Sequence, residues 1–135
     1  KELYDNYTCA KNVFDSIETD FDVKKLCFEG PAEQLNDTQY TQVAIFAHSM
    51  AAAAVLEEQG VHADVCAGLS LGEYSALCYA KSFSIKDGAN ILRERGKLMA
   101  NALPKGTTSM AAVLMLDEAA ILEACKKLRK LESVN

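Results

Sequence analysis

Apolar residues recur at spacings of three and four over residues 2–18, where Leu3, Tyr7, Ala10, Phe14 and Ile17 predict one amphipathic helix. In "FEGPAEQLND", Gly30-Pro31 punctuates the chain, and a short helix is expected from Pro31, since proline suits a first helical position. Residues 41–59 predict a long helix with Val43, Ala47, Met50 and Ala54 on one face and Gly60 as its stop. A short apolar run, 63–67, then reads as a strand buried on both faces. Residues 68–72 form a turn, and a helix follows over about 71–81. Ser84 as N-cap, with Asp87 at the N3 position, opens a helix that runs to about Ala102, where Pro104 and Gly106 end it. "SMAAVLML", 109–116, reads as a second strand, and Asp117 caps a last amphipathic helix over about 118–131.

Helices alternating with strands are the grammar of an α/β domain with a parallel sheet. Two strands cannot make a covered parallel sheet, so the pattern reads as part of a larger fold. No internal repeat or low-complexity tract interrupts it.

Composition narrows the class. The 135 residues are 50% hydrophobic, enough for a real core, and the net charge of −5 comes with no basic patch, which argues against nucleic acid as a partner. The five cysteines (Cys9, Cys27, Cys66, Cys78, Cys125) are odd in number and contain no C-x-x-C pair. Cys66 and Cys78, in apolar surroundings, read as reduced core thiols of a cytoplasmic protein. With two histidines and no Cys/His cluster, no metal site is expected. Lys1, Glu2, Asp5 and Asn6 do not read as a signal peptide, and the most apolar run, 43–56, is too short for a membrane span.

Within "VCAGLSLGEYSAL", 65–77, Gly68 and Gly72 flank Ser70 at two residues on each side. In a nucleophile elbow, a strand enters a tight turn with serine at its strained apex and leaves as a helix; glycines at minus two and plus two relieve the crowding. The N–H of Leu71, at the helix N-terminus, then faces a developing oxyanion. A structural turn between strand and helix has the same pattern, and both readings stand at this point.

A serine nucleophile needs a base, usually histidine. His62 precedes Ser70 by eight residues (70 − 62), on the order of 26 Å along a strand, against a hydrogen-bond reach of about 3 Å. That excludes it. His48, among Phe46, Ala47 and Met50, reads as a packing or surface residue of its helix. The chain therefore reads as lacking its own general base.

The 84–102 helix carries a stripe of Ile85, Ala89, Leu92, Gly96, Met99 and Leu103, flanked by two arginines. Arg93 shares its flank with Lys86, Asn90 and Lys97 and is expected to face water. Arg95 sits beside Ile91, Leu98 and Met99, with no carboxylate on its own flank. A guanidinium against apolar surface needs an anion. It snorkels, pairs with a residue elsewhere, or binds a substrate carboxylate through two parallel hydrogen bonds.

"GLSLGEYSAL", then "RERGKLM" with Arg95 lying 25 residues (95 − 70) beyond the serine, then "SMAAVL", resemble the malonyl-CoA:acyl-carrier-protein transacylases. "LCFEGPAEQLNDTQYTQVAIFA" resembles the segment preceding the serine motif in that family. The resemblance implies an α/β-hydrolase-like large subdomain, represented in part by 1–107, and an inserted ferredoxin-like small subdomain whose first strand and helix are 108–135. It implies Ser70 as the residue that carries malonyl as an ester, Leu71 as one oxyanion-hole N–H, and Arg95 as the grip on the malonyl carboxylate. It implies malonyl-CoA and acyl carrier protein as partners, a coenzyme A thioester as substrate, and no permanently bound cofactor. Leu69 departs from the histidine common before the serine. A glutamine-containing loop that supplies a second oxyanion donor lies before Lys1 in the family, and the catalytic histidine lies beyond Asn135. Two other readings are a serine esterase or acyl hydrolase, which needs no Arg95, and a non-catalytic domain that binds CoA or carrier protein.

Overall fold

The computed structural model describes residues 1–104 and 112–132. The elements among them are helices: α1 (Glu2–Asn6), α2 (Thr8–Asp15), α3 (Val23–Glu29), α4 (Ala32–Asn36), α5 (Thr38–Glu58), α6 (Leu71–Tyr79), α7 (Ile85–Asn101) and α8 (Glu118–Glu132). The chain divides into two units, Lys1–Lys105 and Gly106–Asn135.

The periodicity over 2–18 becomes two helices, not one. Tyr7 takes an extended conformation (φ −128°, ψ 119°), ending α1 and capping α2. The break lets Tyr4 join Phe14 and Phe28 in an aromatic cluster with ring centroids 5.2–5.8 Å apart. Helix α3 was not evident in the pattern; Asp22 caps it, accepting the Lys25 N–H at 2.9 Å. Asp37 caps α5 by accepting the Gln39 N–H at 3.0 Å, which starts that helix three residues earlier (41 − 38) than its apolar face suggests.

Helix α5 is the hub, and α1 to α4, α6 and α7 all pack against it. Its buried surface contains the expected Val43, Ala47 and Met50, and extends to Gln42, Ala44, Phe46 and Ala51. Ala10, Val13 and Phe14 of α2 and Ala89 and Leu92 of α7 close the same core. The Ser84 cap forms: its hydroxyl accepts the Asp87 N–H at 3.1 Å and donates to the Asp87 carboxylate at 2.6 Å. The stripe on α7 is only partly core. Ala89, Leu92 and Gly96 are buried, but Met99 and Leu103 are about half exposed, and the buried face instead includes Gly88 and Arg93.

Neither expected strand forms among the described residues. Residues 63–67 lie in no strand, nor do 112–116; 109–111 fall outside the described residues. A strand exists only through hydrogen bonds to a neighbour, and no described segment supplies one. Residues 61–70 are exposed throughout, with Val65 at 84%. The Ala63 N–H donates instead to the Tyr79 hydroxyl at 3.2 Å. The α/β expectation is thus met only by its helices. In the second unit, α8 carries an exposed Lys127–Glu123 ion pair at 3.0 Å.

Gly68 brings the 68–72 turn into close contact with the start of α6. A Cβ there would lie 2.0 Å from the Gly72 carbonyl carbon and 2.3 Å from the Glu73 nitrogen. Gly72, expected to be equally crowded, has nothing within 4 Å of a Cβ position among the described residues. Gly68→Ala should therefore cost about 1–3 kcal/mol, and Gly72→Ala less than about 0.5 kcal/mol, both read from denaturant midpoints. Phe46→Ala, at the fully buried centre of α5, should cost about 3–5 kcal/mol by the same measurement.

Candidate functional site

Ser70 is the N-cap residue of α6 and holds φ 53°, ψ −107°. A non-glycine residue pays of order 1–3 kcal/mol for such a conformation, so the surroundings must hold it there. Its hydroxyl does not cap its own helix. The Oγ accepts a hydrogen bond from Arg95 Nη2 at 2.9 Å. The Leu71 N–H, first of the helix, donates to no carbonyl among the described residues. It belongs to the unsatisfied donors that give a helix N-terminus its affinity for negative charge. Leu69 is 91% exposed.

Arg95 is oriented from three sides. Nη1 donates to the Gln42 side-chain oxygen at 2.5 Å, Nη2 reaches Ser70, and the guanidinium lies 5.5 Å from the Tyr74 ring centroid. Gln42 is buried, and its amide nitrogen donates to Thr38 Oγ1 at 3.1 Å and contacts Met99 Sδ at 3.4 Å. An apolar groove bordered by Tyr74, Ile91, Leu98 and Met99 opens beside the guanidinium. Glu94 also borders it, but its carboxylate holds Lys97 at 2.7 Å. Among the described residues Arg95 has no carboxylate partner. A guanidinium has five N–H donors, so the fork retains donors for an incoming anion next to the serine hydroxyl.

The second arginine corrects the sequence expectation. Arg93 does not face water: it is 8% exposed. Its Nε and Nη2 donate to both oxygens of Asp20, at 2.5 and 3.0 Å, and Nη1 donates to the Gln39 carbonyl at 2.7 Å. The rings of Phe21 and Tyr40 lie 5.2 and 4.7 Å from it. Helical spacing placed Arg93 beside Lys86 and Asn90, but the segment before α3 folds over that flank and supplies an anion. The Arg93 bond holds the Asp20 carboxyl down at about 2.

Neither histidine hydrogen-bonds to Ser70. His48, exposed on α5, is six residues past Gln42, about 120° around the helix; it borders a groove with Phe14, Cys27 and Ile45. His62 lies with Val61, Cys66 and Tyr79. Cys78 is buried, and burial pushes its thiol pKa up. Cys66, expected in the core, is exposed because nothing described covers 61–70. Among the described residues no three His, Cys, Asp or Glu side chains cluster as metal ligands, and no helix is long and apolar enough to cross a membrane.

The site thus joins Ser70, Leu71 and Arg95 with residues the sequence reading passed over. Gln42 carried a signal, being a polar residue adjoining the apolar face of α5. Tyr74 lies one turn (74 − 70) beyond the serine. Asp20 carried none, since nothing local links it to a helix 73 residues away (93 − 20).

Residues 4–129 match the family model described as the acyl transferase domain. The chain is 40% identical over 129 residues to the malonyl CoA-acyl carrier protein transacylase of Bacillus subtilis, covering 94% of this chain and 41% of that protein. It is 44% identical over 108 residues to the Escherichia coli K12 protein of the same name, covering 79% of this chain and 35% of that one. Among solved structures, the acyl-carrier-protein S-malonyltransferase of Bartonella henselae superposes with a TM-score of 0.88 at 38% identity, over 96% of this chain and 43% of that one. The Clostridium perfringens transacylase gives 0.86 at 37% identity, over 93% of this chain and 40% of that one. The chain spans about two fifths of the length of these relatives. With a serine turn and a helix-borne arginine joined on an acyltransferase scaffold, and a family match over nearly its whole length, the chain belongs to the acyl transferase domain family.

Proposed function

We propose that the protein containing this chain transfers a malonyl group from malonyl-CoA to the phosphopantetheine thiol of acyl carrier protein, in fatty acid biosynthesis. The observation that carries the reading is the 2.9 Å bond between Arg95 Nη2 and Ser70 Oγ, made by a guanidinium with no carboxylate partner among the described residues. Only an acyl group with its own carboxylate close to the attacked carbonyl pairs that cation as the serine reacts. A malonyl group has this spacing; an acetyl group leaves the charge without an anion. The names of the relatives agree, and one neighbour at TM-score 0.75 and 38% identity is a malonyl-transacylase in complex with its acyl-carrier protein.

The reaction runs in two halves. Ser70 Oγ attacks the thioester carbonyl and loses its proton to a general base, which the resemblance assigns to a histidine beyond residue 135. The carbonyl oxygen becomes an oxyanion facing the Leu71 N–H and the N-terminus of α6. Collapse expels the CoA sulfur, which takes the proton, and leaves malonyl-Ser70. The carrier thiol then attacks the ester carbonyl, the base takes the thiol proton, and it returns the proton to Ser70 as that oxygen departs. No resident cofactor enters these steps, and the cytoplasm is the compartment we assign.

In the same reading, 1–107 belong to an α/β-hydrolase-like subdomain in which 63–67 pair as a strand once neighbours are present. Residues 108–135 open a ferredoxin-like subdomain.

Incubating the full-length protein with malonyl-CoA should add one malonyl group by intact mass, and Ser70→Ala should abolish the adduct. An unmodified wild type overturns the reading, and release of free acid from simple esters favours a hydrolase. Arg95→Ala should lower kcat/KM for malonyl-CoA by about a hundredfold or more and raise acetyl transfer relative to malonyl. An unchanged malonyl preference removes Arg95 from this role.

A further inference from the structure

Arg93 and Lys97 stand two residues before and two after Arg95 along α7, on the opposite face of the helix, and Asp20 engages both. It holds Arg93 through two bonds at 2.5 and 3.0 Å, and Lys97 at 3.3 Å. Arg93 and Arg95 also anchor α7 to successive turns of α5. Arg93 Nη1 meets the Gln39 carbonyl at 2.7 Å, and Arg95 Nη1 meets the Gln42 side chain, three residues on (42 − 39), at 2.5 Å. The helices touch here through Gly96, where a Cβ would lie 2.7 Å from the Thr38 carbonyl oxygen. The Arg93 guanidinium is shut in by Phe21, which adjoins Asp20, and by Tyr40, whose rings meet edge to face at 5.1 Å.

We propose that Asp20 is a positioning residue for acyl selection: by pairing Arg93 and Lys97 it fixes the α5–α7 contact that aims Arg95 at Ser70, and leaves Arg95 as the cation open to an acyl carboxylate. The inference rests on the reading of Arg95 as the carboxylate anchor. A buried guanidinium without its anion is costly, so without Asp20 Arg93 leaves its aromatic slot. The Gln39 carbonyl then loses the Arg93 donor, and the N-terminal part of α5, which carries Gln42, loses one of its hydrogen-bonded ties to α7. Arg93 is left without an anion, while Lys97 keeps Glu94 at 2.7 Å. The Glu18–Lys86 ion pair, which ties the same segment to the same helix without touching Gln39, Gln42 or Arg95, provides an internal control.

The test is a kinetic comparison in the full-length protein. Asp20→Asn keeps the shape and removes the charge. It should raise the KM for malonyl-CoA about tenfold while kcat changes less than about threefold, and lower the malonyl-to-acetyl ratio of kcat/KM. Asp20→Glu should restore part of that ratio, and Glu18→Gln should leave it at the wild-type value. A folded Asp20→Asn with an unchanged ratio overturns the proposal, as does an equal loss in Glu18→Gln. Where circular dichroism shows that Asp20→Asn does not fold, Asp20→Ala with Arg93→Met removes both charges together. That double variant should fold with a lowered ratio, and a wild-type ratio in it equally overturns the proposal. A wild type without malonyl preference refutes the reading of Arg95 instead, so the two failures are distinguishable.

Discussion

The contact between α5 and α7 decides what the serine turn can do. Ser70 lies on an exposed stretch with little packing of its own, and its one side-chain partner among the described residues is Arg95. Arg95 is held by Gln42, a buried amide on the hub helix. A buried amide must satisfy its hydrogen-bonding groups, and Gln42 does so with Arg95, Thr38 and Met99, which fixes its rotamer and so the guanidinium. The order of dependence runs from the apolar core of α5, through one amide, to a cation and then a hydroxyl.

The two arginines show how electrostatics sorts chemically equal groups. They lie two residues apart on one helix, and both reach α5. Arg93 receives a bidentate carboxylate and two aromatic faces; Arg95 receives a neutral amide, a hydroxyl and one ring. Asp20 contributes to stability in its ionised form. Its carboxyl titrates lower in the folded chain than in the unfolded one, so that contribution is complete above about pH 4 and fades as the pH falls toward about 2.

Much of the helical layer was legible because its signals are local. The Ser84 cap, the buried Val43–Ala47–Met50 face and the helix after Ser70 follow from spacing and capping chemistry within a few residues. The strands were not confirmed, because strand structure resides in the neighbour as much as in the segment. Residues 63–67 have a strand's composition and, among the described residues, none of its partners. Motif and helix flank single out Ser70 and Arg95 as candidates, with their roles implied by the family resemblance, and the lack of a carboxylate partner for Arg95 among the described residues agrees with the flank argument. Arg93 was misplaced for the converse reason. Its local flank is polar, but its burial is set by Asp20 and Phe21, which only the tertiary fold brings near.

The positive φ of Ser70 also has a consequence for mutational tolerance. Glycine enters that region of backbone space with little penalty, so the turn occupies a position where the most comfortable residue lacks the hydroxyl. With Ser70 as the nucleophile we propose, stability and chemistry pull in opposite directions at this one position. Selection for heat resistance alone would drift toward glycine at 70 and yield a sturdier protein with an empty apex. At position 70 the residue that best suits the backbone and the residue that the proposed chemistry needs are not the same.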